Sequence, residues 1–230
     1  MSGYTTYPEV EEQGFAVIQD VFRSEFLNEA LKEISRWSPR RSRAGVRHAL
    51  RLEPVGRIAR SPQLTKIASG VLGPAAVPFR ATLFDKTPDA NWLVVWHQDT
   101  ALPLTESREV QGWGPWSVKE GVHYAHAPAT TLAKVLALRV HFDESGRENG
   151  PLRVLPGTHH SGVLTDDQIQ QFATRISPVD CLVSKGGVIA MRPLIVHASS
   201  KLQNESPRRV LHIEYAASNS IASPLELEIV

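Results

Sequence analysis

An apolar run in the sequence ends at two residues that are able to bind a metal ion. Residues 91–100 read NWLVVWHQDT, in which His97 and Asp99 follow five consecutive apolar side chains. In a β-strand, residues i and i+2 point to the same face, so this imidazole and this carboxylate can meet one ion. His141 and Asp143, in HFD, have the same spacing. Spacing alone therefore does not choose between the two pairs.

The surroundings of His97 favour the first pair. The segment that follows it, 101–128, is long, rich in Gly, Pro and Trp, and without a clean period, which is typical of a lid or binding loop. A second apolar strand, in GGVIAMRPLIVHASS, ends at His197. Two histidines and one carboxylate on one side of a metal form the facial triad of non-haem iron oxygenases. The same ligands also suit a catalytic zinc ion, so both classes of enzyme remain open on these residues.

An arginine follows His197 in a strand that alternates in polarity. In RRVLHIEYA, Arg208 and His212 fall on one face, whereas Leu211 and Ile213 fall on the other, more apolar face. A guanidinium group binds a carboxylate through two parallel hydrogen bonds. If the apolar face packs under helices, Arg208 points into the cavity that holds the metal.

Helical patterns gather in the first third of the chain, and strand patterns dominate afterwards. The predicted helices are 24–37, 62–72 and a third that starts at the capping box of Thr165 and runs to about 175. The predicted strands are 14–22, 78–84, 92–97, 135–143, 181–184, 188–192 and 208–216. This order predicts a mainly β (α+β) protein, a double-sheet jelly roll with helices packed on one outer face. We expect one domain over 1–230, with the N-terminal strand and helices at 14–74 and the jelly-roll core at about 78–216.

Composition is typical of a globular protein without a strong charge. The chain has 25 basic and 24 acidic residues, a formal net charge of +1, which argues against a nucleic-acid binder. Its single cysteine, Cys181, excludes an internal disulfide and fits a reducing compartment. The start lacks a signal pattern, and no apolar run approaches the ~18 residues of a membrane span. We therefore expect a cytoplasmic protein with a small-molecule partner, no nucleic acid and no membrane, whose oligomeric state the sequence does not define.

Four motifs occur in an order that resembles one enzyme family. They lie between about residues 80 and 216 and read LFDKTPDANWLVVWHQD, ENGPLRVLPGTHHSG, KGGVIAMRPLIVHASS and PRRVLHIEY. Together they resemble the phytanoyl-CoA dioxygenase (PhyH-like) family of Fe(II)- and 2-oxoglutarate-dependent oxygenases. The resemblance implies a double-stranded β-helix, a cupin-like variant of the jelly roll, in agreement with the strand pattern.

The resemblance also implies roles for individual residues. His97, Asp99 and His197 fall on the iron ligands, which are also the catalytic residues. Arg208 falls on the arginine that binds the distal carboxylate of 2-oxoglutarate, and Arg209 is the alternative if the register differs by one. Other candidates for the cosubstrate site are Lys86 and Arg139. Candidates for substrate contacts or a lid are Trp113, Trp116, His123, His126 and His141.

The reaction implied by the resemblance uses Fe(II), 2-oxoglutarate and O2 to oxidise a substrate C–H bond, with release of succinate and CO2. Asp99 favours hydroxylation or another oxidation over halogenation, because related halogenases have a small residue in place of this carboxylate. A zinc-dependent hydrolase and a non-enzymatic jelly-roll binding module are the alternatives. An arginine-rich segment is interpreted as a solvated loop or as a clamp for an acidic small molecule; its members are Arg40, Arg41, Arg43, Arg47 and Arg51.

Overall fold

A computed structural model of the chain describes residues 6–37 and 45–230. The described segments contain six α-helices: α1 (Pro8–Glu12), α2 (Ser24–Trp37), α3 (Glu53–Ala59), α4 (Pro62–Leu72), α5 (Ala129–Leu132) and α6 (Asp166–Arg175). They also contain thirteen strands: β1 (Phe15–Ile18), β2 (Gly45–Val46), β3 (Val77–Lys86), β4 (Val94–His97), β5 (Ala101–Leu104), β6 (Trp116–Lys119), β7 (Val122–His126), β8 (Val135–His141), β9 (Leu152–Leu155), β10 (Val179–Cys181), β11 (Val188–Met191), β12 (Val196–Ser199) and β13 (Arg208–Ala216). Arg40, Arg41 and Arg43 of the arginine-rich segment lie outside the described residues.

Ten of these strands form two antiparallel sheets that pack face to face. The large sheet has the order β1-β11-β8-β13-β3-β2, and the small sheet has the order β10-β9-β12-β4. Ile189 and Met191 of the large sheet share one buried apolar cluster with Leu152 and Val154 of the small sheet. Most neighbours in each order are not consecutive strands of the chain, as expected for a double-stranded β-helix. The predicted jelly roll is confirmed.

Helices α2, α3 and α4 cover the outer face of the large sheet, whereas α6 packs against the small sheet, so the prediction of helices on one outer face is wrong for α6. Leu211 and Ile213 of β13 are buried in one cluster with Leu27 of α2 and Ile58 of α3. Complete burial of such a side chain stabilises the fold by about 1.5–3 kcal/mol. Tyr215, on the same face, donates a hydrogen bond of 2.6 Å from its hydroxyl to the carbonyl of Ala59. The opposite face of β13 therefore looks into the space between the sheets, as predicted from its alternation.

The helix predictions are confirmed for α2, α4 and α6. Ser61 caps α4, and Thr165 caps α6 with Gln168 in a reciprocal capping box. The short helix α3 was not predicted, because its seven residues include a proline and a glycine and lack a clear period. No described helix is both long enough and apolar enough to cross a membrane.

The segment 101–128 differs from the prediction of an irregular loop. It contains β5, β6 and β7, which form a separate sheet of order β5-β7-β6. The turn between β6 and β7 consists of Glu120 and Gly121, with φ of +51° and +82°. Two positive φ values define the tight turn that suits a hairpin. Pro103 and Pro115 obscure the alternation of this segment in the sequence, because proline is usually excluded from sheet interiors.

Candidate metal centre and adjoining cavity

Strand pairing brings two histidines together across the small sheet. His97 of β4 lies directly opposite His197 of β12, and their ring centroids are 4.2 Å apart. Asp99 follows β4, and its backbone amide donates to the carbonyl of Pro193 at 3.0 Å. Its carboxylate oxygens lie 3.8 Å from Nε2 of His97 and 3.5 Å from Nε2 of His197. The three side chains thus converge on one point.

Backbone carbonyls orient both imidazoles towards that point. Nδ1 of His97 donates to the carbonyl of Val95 at 2.8 Å, and Nδ1 of His197 donates to the carbonyl of Ile195 at 2.9 Å. A proton on Nδ1 leaves the lone pair of Nε2 available to a metal ion.

The protonation states of this cluster also suit a metal ion. Burial lowers the pKa of His197 to about 4, so its imidazole is neutral at physiological pH. Burial raises the pKa of Asp99, but the imidazoles around it, His197 first, and the guanidinium of Arg80 hold that pKa well below its usual value. Imidazole and carboxylate are ligands that suit a divalent first-row metal such as Fe(II).

A cavity of about 300 Å³ adjoins these three side chains, between the two sheets. Its described lining is strongly basic, and Asp99 is the single carboxylate in it. The lysine and arginines of the lining are Arg47, Arg80, Lys119, Arg139 and Arg208. A cavity of this size and charge suits small anionic molecules.

At one end of the cavity, Arg208 is buried and has no carboxylate partner within residues 6–37 and 45–230. Its Nη2 donates to Oγ of Ser199 at 3.0 Å, while its Nε and Nη1 have no hydrogen-bond partner among the described residues. Lys86 lies beside it, and its Nζ donates to Oγ of Ser199 at 2.9 Å and to the carbonyl of Ser200 at 2.7 Å. Burial and nearby Arg139 lower the pKa of Arg208 to about 9, so the guanidinium stays charged at neutral pH. A buried cation with free donors fits the carboxylate of a ligand.

Arg209 points to the opposite face of β13 and has a partner within the protein. Its Nε and Nη2 donate to the two carboxylate oxygens of Asp143 at 2.7 and 2.6 Å. Asp143 therefore lies away from the metal cluster. His141 of the same HFD motif is completely buried, and neither of its ring nitrogens has a partner among the described residues. Burial lowers the pKa of His141 well below its usual value.

A polar network forms the floor of the cavity. Nη1 of Arg139 donates to Nδ1 of His212 at 3.0 Å, and Nε2 of His212 lies 3.6 Å from Oε1 of Glu214. Glu214 forms an ion pair with Arg80, which also donates to the carbonyl of Ala101 at 2.9 Å. Asp99, His212 and Glu214 are close enough to form a second group of possible metal ligands. Because Glu214 already pairs with Arg80 and His212 accepts from Arg139, this group is better described as a support for Asp99.

Several residues of this site were not found from the sequence, although signals for them exist. Arg80 belongs to FRATLFDK, where alternation places it on one face with Thr82, Phe84 and Lys86. Ser199 follows His197 by two residues and therefore shares its face. The same period-2 rule that selected Arg208 would have selected both.

The candidates proposed for substrate contacts or a lid lie outside the described lining of the cavity. Trp113 and Trp116 pack against the buried cluster that includes Leu225 near the C-terminus. His126, at the end of β7, is exposed, and its Nδ1 lies 2.6 Å from Oγ1 of Thr100. His123, near the start of the same strand, is partly buried. From this segment, it is Lys119 that reaches the cavity.

The jelly roll, the cluster of two histidines and one carboxylate, and the buried arginine beside it are the features of an Fe(II)- and 2-oxoglutarate-dependent oxygenase. The sequence matches the family described as phytanoyl-CoA dioxygenase (PhyH) over residues 10–210. The chain therefore belongs to this family, whose cofactors are iron, 2-oxoglutarate and O2.

Individual relatives are distant. L-proline trans-4-hydroxylase from Streptomyces griseoviridis is 26% identical over 202 residues, which cover 75% of this chain and 67% of that protein. The peroxisomal phytanoyl-CoA dioxygenase of Bos taurus is 23% identical over 181 residues, 73% of this chain but only about half (47%) of that protein. The crystal structure of EctD from S. alaskensis with bound Fe has a TM-score of 0.70 and 20% identity, covering 99% of this chain and 80% of that one. This last likeness establishes the shared fold.

Proposed function

We propose that this chain is a dioxygenase that hydroxylates an unactivated C–H bond of a small organic substrate. The balanced reaction converts the C–H compound, 2-oxoglutarate and O2 into the alcohol, succinate and CO2. One observation carries the proposal: a triad that could hold a metal ion lines the same cavity as Arg208, a buried arginine for which the described part of the chain offers no carboxylate partner. A zinc hydrolase does not require such an arginine, and a simple binding module does not require the triad.

In this proposal, His97, Asp99 and His197 hold the iron through two Nε2 atoms and a carboxylate oxygen. Bound Fe(II) supplies the activation of O2 for oxidative chemistry. The protein contributes orientation, because the carbonyls of Val95 and Ile195 fix both imidazoles, and it contributes charge, because Asp99 remains ionised. Preorganised ligands need little rearrangement when the metal binds.

The distal carboxylate of 2-oxoglutarate would be bound by Arg208, with Ser199 and Lys86 completing the site. The free Nε and Nη1 of Arg208 are the donors that support this assignment. Arg139 lines the cavity near both Asp99 and Arg208, and its Nε also lacks a partner among the described residues. We propose that Arg139 contacts the part of 2-oxoglutarate that would lie between the metal and Arg208. Arg209 has no part in this site, because Asp143 already neutralises it.

The matched pair Asp99→Ala and Asp143→Ala tests the metal centre, because both aspartates follow a histidine by two residues. Under anaerobic conditions, Fe(II) and 2-oxoglutarate are titrated into each protein, and the visible charge-transfer band and the bound iron are measured. We expect the wild-type protein and Asp143→Ala to form the band and Asp99→Ala to lose it. Loss of iron from Asp143→Ala together with retention by Asp99→Ala would contradict the assignment.

A second measurement separates the oxygenase from the hydrolase. Succinate formation from 2-oxoglutarate is followed with Fe(II) and with Zn(II), each in air and without oxygen. The oxygenase forms succinate only with Fe(II) and O2, whereas turnover of a substrate with Zn(II) alone would support the hydrolase.

We also propose that the chain acts as a single domain in the cytoplasm. The family match extends over 201 of the 230 residues, from 10 to 210, and includes both the helices and the sheets. The one cysteine, Cys181, is a buried free thiol whose pKa burial raises to about 12. A thiol of this kind is unreactive and suits a reducing compartment.

A further inference from the structure

Two cations that line the cavity face one tyrosine ring beside it. The guanidinium carbon of Arg80 lies 5.7 Å, and Nζ of Lys119 lies 4.9 Å, from the ring centroid of Tyr124. Arg47, directly after β2, lines the same cavity. The hydroxyl of Tyr124 is 2.9 Å from Nε2 of His48, which holds the ring in place. We call Arg47, Arg80 and Lys119 the basic wall.

Only one member of the basic wall is neutralised within the described protein. Arg80 pairs with Glu214, which is buried behind it. Arg47 and Lys119 have no carboxylate within ion-pair distance among the described residues, and both side chains are exposed to the cavity mouth. Like charges held close together repel each other, and an anion between them removes that repulsion.

The same cavity offers little to a positively charged group. Asp99 is the one carboxylate in its described lining, and this carboxylate would bind the metal. Glu214 is already paired with Arg80, and Glu120 lies 3.9 Å from Nδ1 of His48. The ring of Tyr124 is already faced by Lys119 and Arg80. An ammonium group on a substrate would therefore lose its hydration without gaining an acidic partner.

We propose that the substrate is a small carboxylic acid without a cationic amino group, and that Arg47 and Lys119 bind its carboxylate at the cavity mouth. The inference rests on the proposed function, since the C–H bond to be oxidised would face the metal triad. It also excludes a free amino acid as the substrate, because a free amino acid carries an ammonium group. The volume of about 300 Å³, shared with 2-oxoglutarate, suits a small molecule.

A panel of matched compounds tests the charge requirement. Cyclopentyl, cyclohexyl and phenyl skeletons are each presented as the carboxylic acid, the primary amide, the amine and the α-amino acid. Binding to the anaerobic Fe(II)- and 2-oxoglutarate-loaded protein is measured by calorimetry, and succinate release in air gives a second readout. We expect at least one acid to bind about tenfold or more tightly than its amide, amine and amino-acid counterparts.

Two variants assign that preference to the basic wall. Lys119→Met and Arg47→Met are each expected to weaken binding of the preferred acid by about 10- to 100-fold, since each removes a charge-assisted contact. Lys134→Met, at an exposed position outside the cavity, is the control and should leave binding unchanged. The charge-transfer band with iron and 2-oxoglutarate verifies the fold and the metal centre of every variant.

The outcomes distinguish this inference from the proposed function. If the band and 2-oxoglutarate turnover are absent in the wild-type protein, the proposed function is wrong and this inference falls with it. If the band forms but amides, amines or amino acids bind as well as the acids, only the charge requirement is wrong. Absence of binding by every acid of the panel, or equal weakening of acid and amide by Lys119→Met, also overturns the inference.

Discussion

Two adjacent arginines allow a direct test of the cosubstrate site. Arg208→Gln removes a guanidinium that is only 4% exposed and whose Nε and Nη1 have no partner among the described residues. A hydrogen bond to a charged group contributes about 1.5–3 kcal/mol. The loss of two such bonds weakens the binding free energy of 2-oxoglutarate by about 3–4 kcal/mol, because the polar glutamine side chain retains part of the interaction. At ~1.4 kcal/mol for each factor of ten, we expect the dissociation constant of 2-oxoglutarate to rise about 100- to 1000-fold.

Arg209→Gln is the matched control. It makes the same chemical change one residue further along β13, on the opposite face. Arg209 loses its ion pair with Asp143, in which the two side chains are 29% and 17% exposed. We expect the free energy of unfolding to fall by about 1 kcal/mol, as is usual for partly exposed pairs. The affinity for 2-oxoglutarate should change by less than about twofold.

The assay is an anaerobic titration of 2-oxoglutarate into the Fe(II)-loaded proteins, followed by the charge-transfer band. Steady-state succinate formation gives the KM for 2-oxoglutarate as an independent value, and thermal unfolding shows that each variant is folded. Equal weakening by the two substitutions, or stronger weakening by Arg209→Gln, would refute the argument that alternation in β13 determines which arginine binds the cosubstrate.

Two further predictions concern the same end of the cavity. Burial, Arg208 and Arg139 lower the pKa of Lys86 to about 7, and a bound carboxylate raises that pKa again. The affinity for 2-oxoglutarate should therefore be highest below about pH 7 and fall by up to tenfold per pH unit above it. A Kd that does not vary between about pH 6 and 9, or that varies equally in Lys86→Met, would contradict this prediction. Gly150 has φ of +63°, and a Cβ there would lie 2.3 Å from the carbonyl oxygen of Ser200, which accepts from Lys86. Gly150→Ala should lower the free energy of unfolding by more than about 2 kcal/mol and weaken 2-oxoglutarate binding. The control is Gly157→Ala, at a position with φ of +79° and open space around it. It should lower the free energy of unfolding, measured by chemical denaturation, by about 1 kcal/mol and leave binding unchanged.

The jelly roll and the placement of Arg208 could be predicted because they depend on short-range periodicity. The alternation of β13 separates Leu211 and Ile213, which are buried under helices, from His212, which lines the cavity. A strand with one apolar and one polar face has a single favourable orientation in a sandwich. The same rule, applied to β3, would have added Arg80.

Other features depend on contacts between distant segments and could not be derived from local patterns. Spacing does not distinguish Asp99 from Asp143; the difference arises because Arg209, 66 residues away, pairs with Asp143. The strands within 101–128 are stabilised by packing of Trp113 and Trp116 against Leu225, near the other end of the chain. Propensity is a weak guide where such tertiary contacts determine the structure.

The direct opposition of His97 and His197 makes the candidate metal centre depend on the pairing of two distant strands. These residues are separated by 100 positions, and they meet only after β4 has paired with β12 in one register. A shift by one residue would turn one imidazole to the other face of the sheet. Pairing of residues so distant in sequence is slow, because the entropy of closing a long loop opposes it. With the ligands proposed above, a chain in which β4 and β12 have not paired lacks a complete iron centre, so iron binding would report the pairing of the two strands.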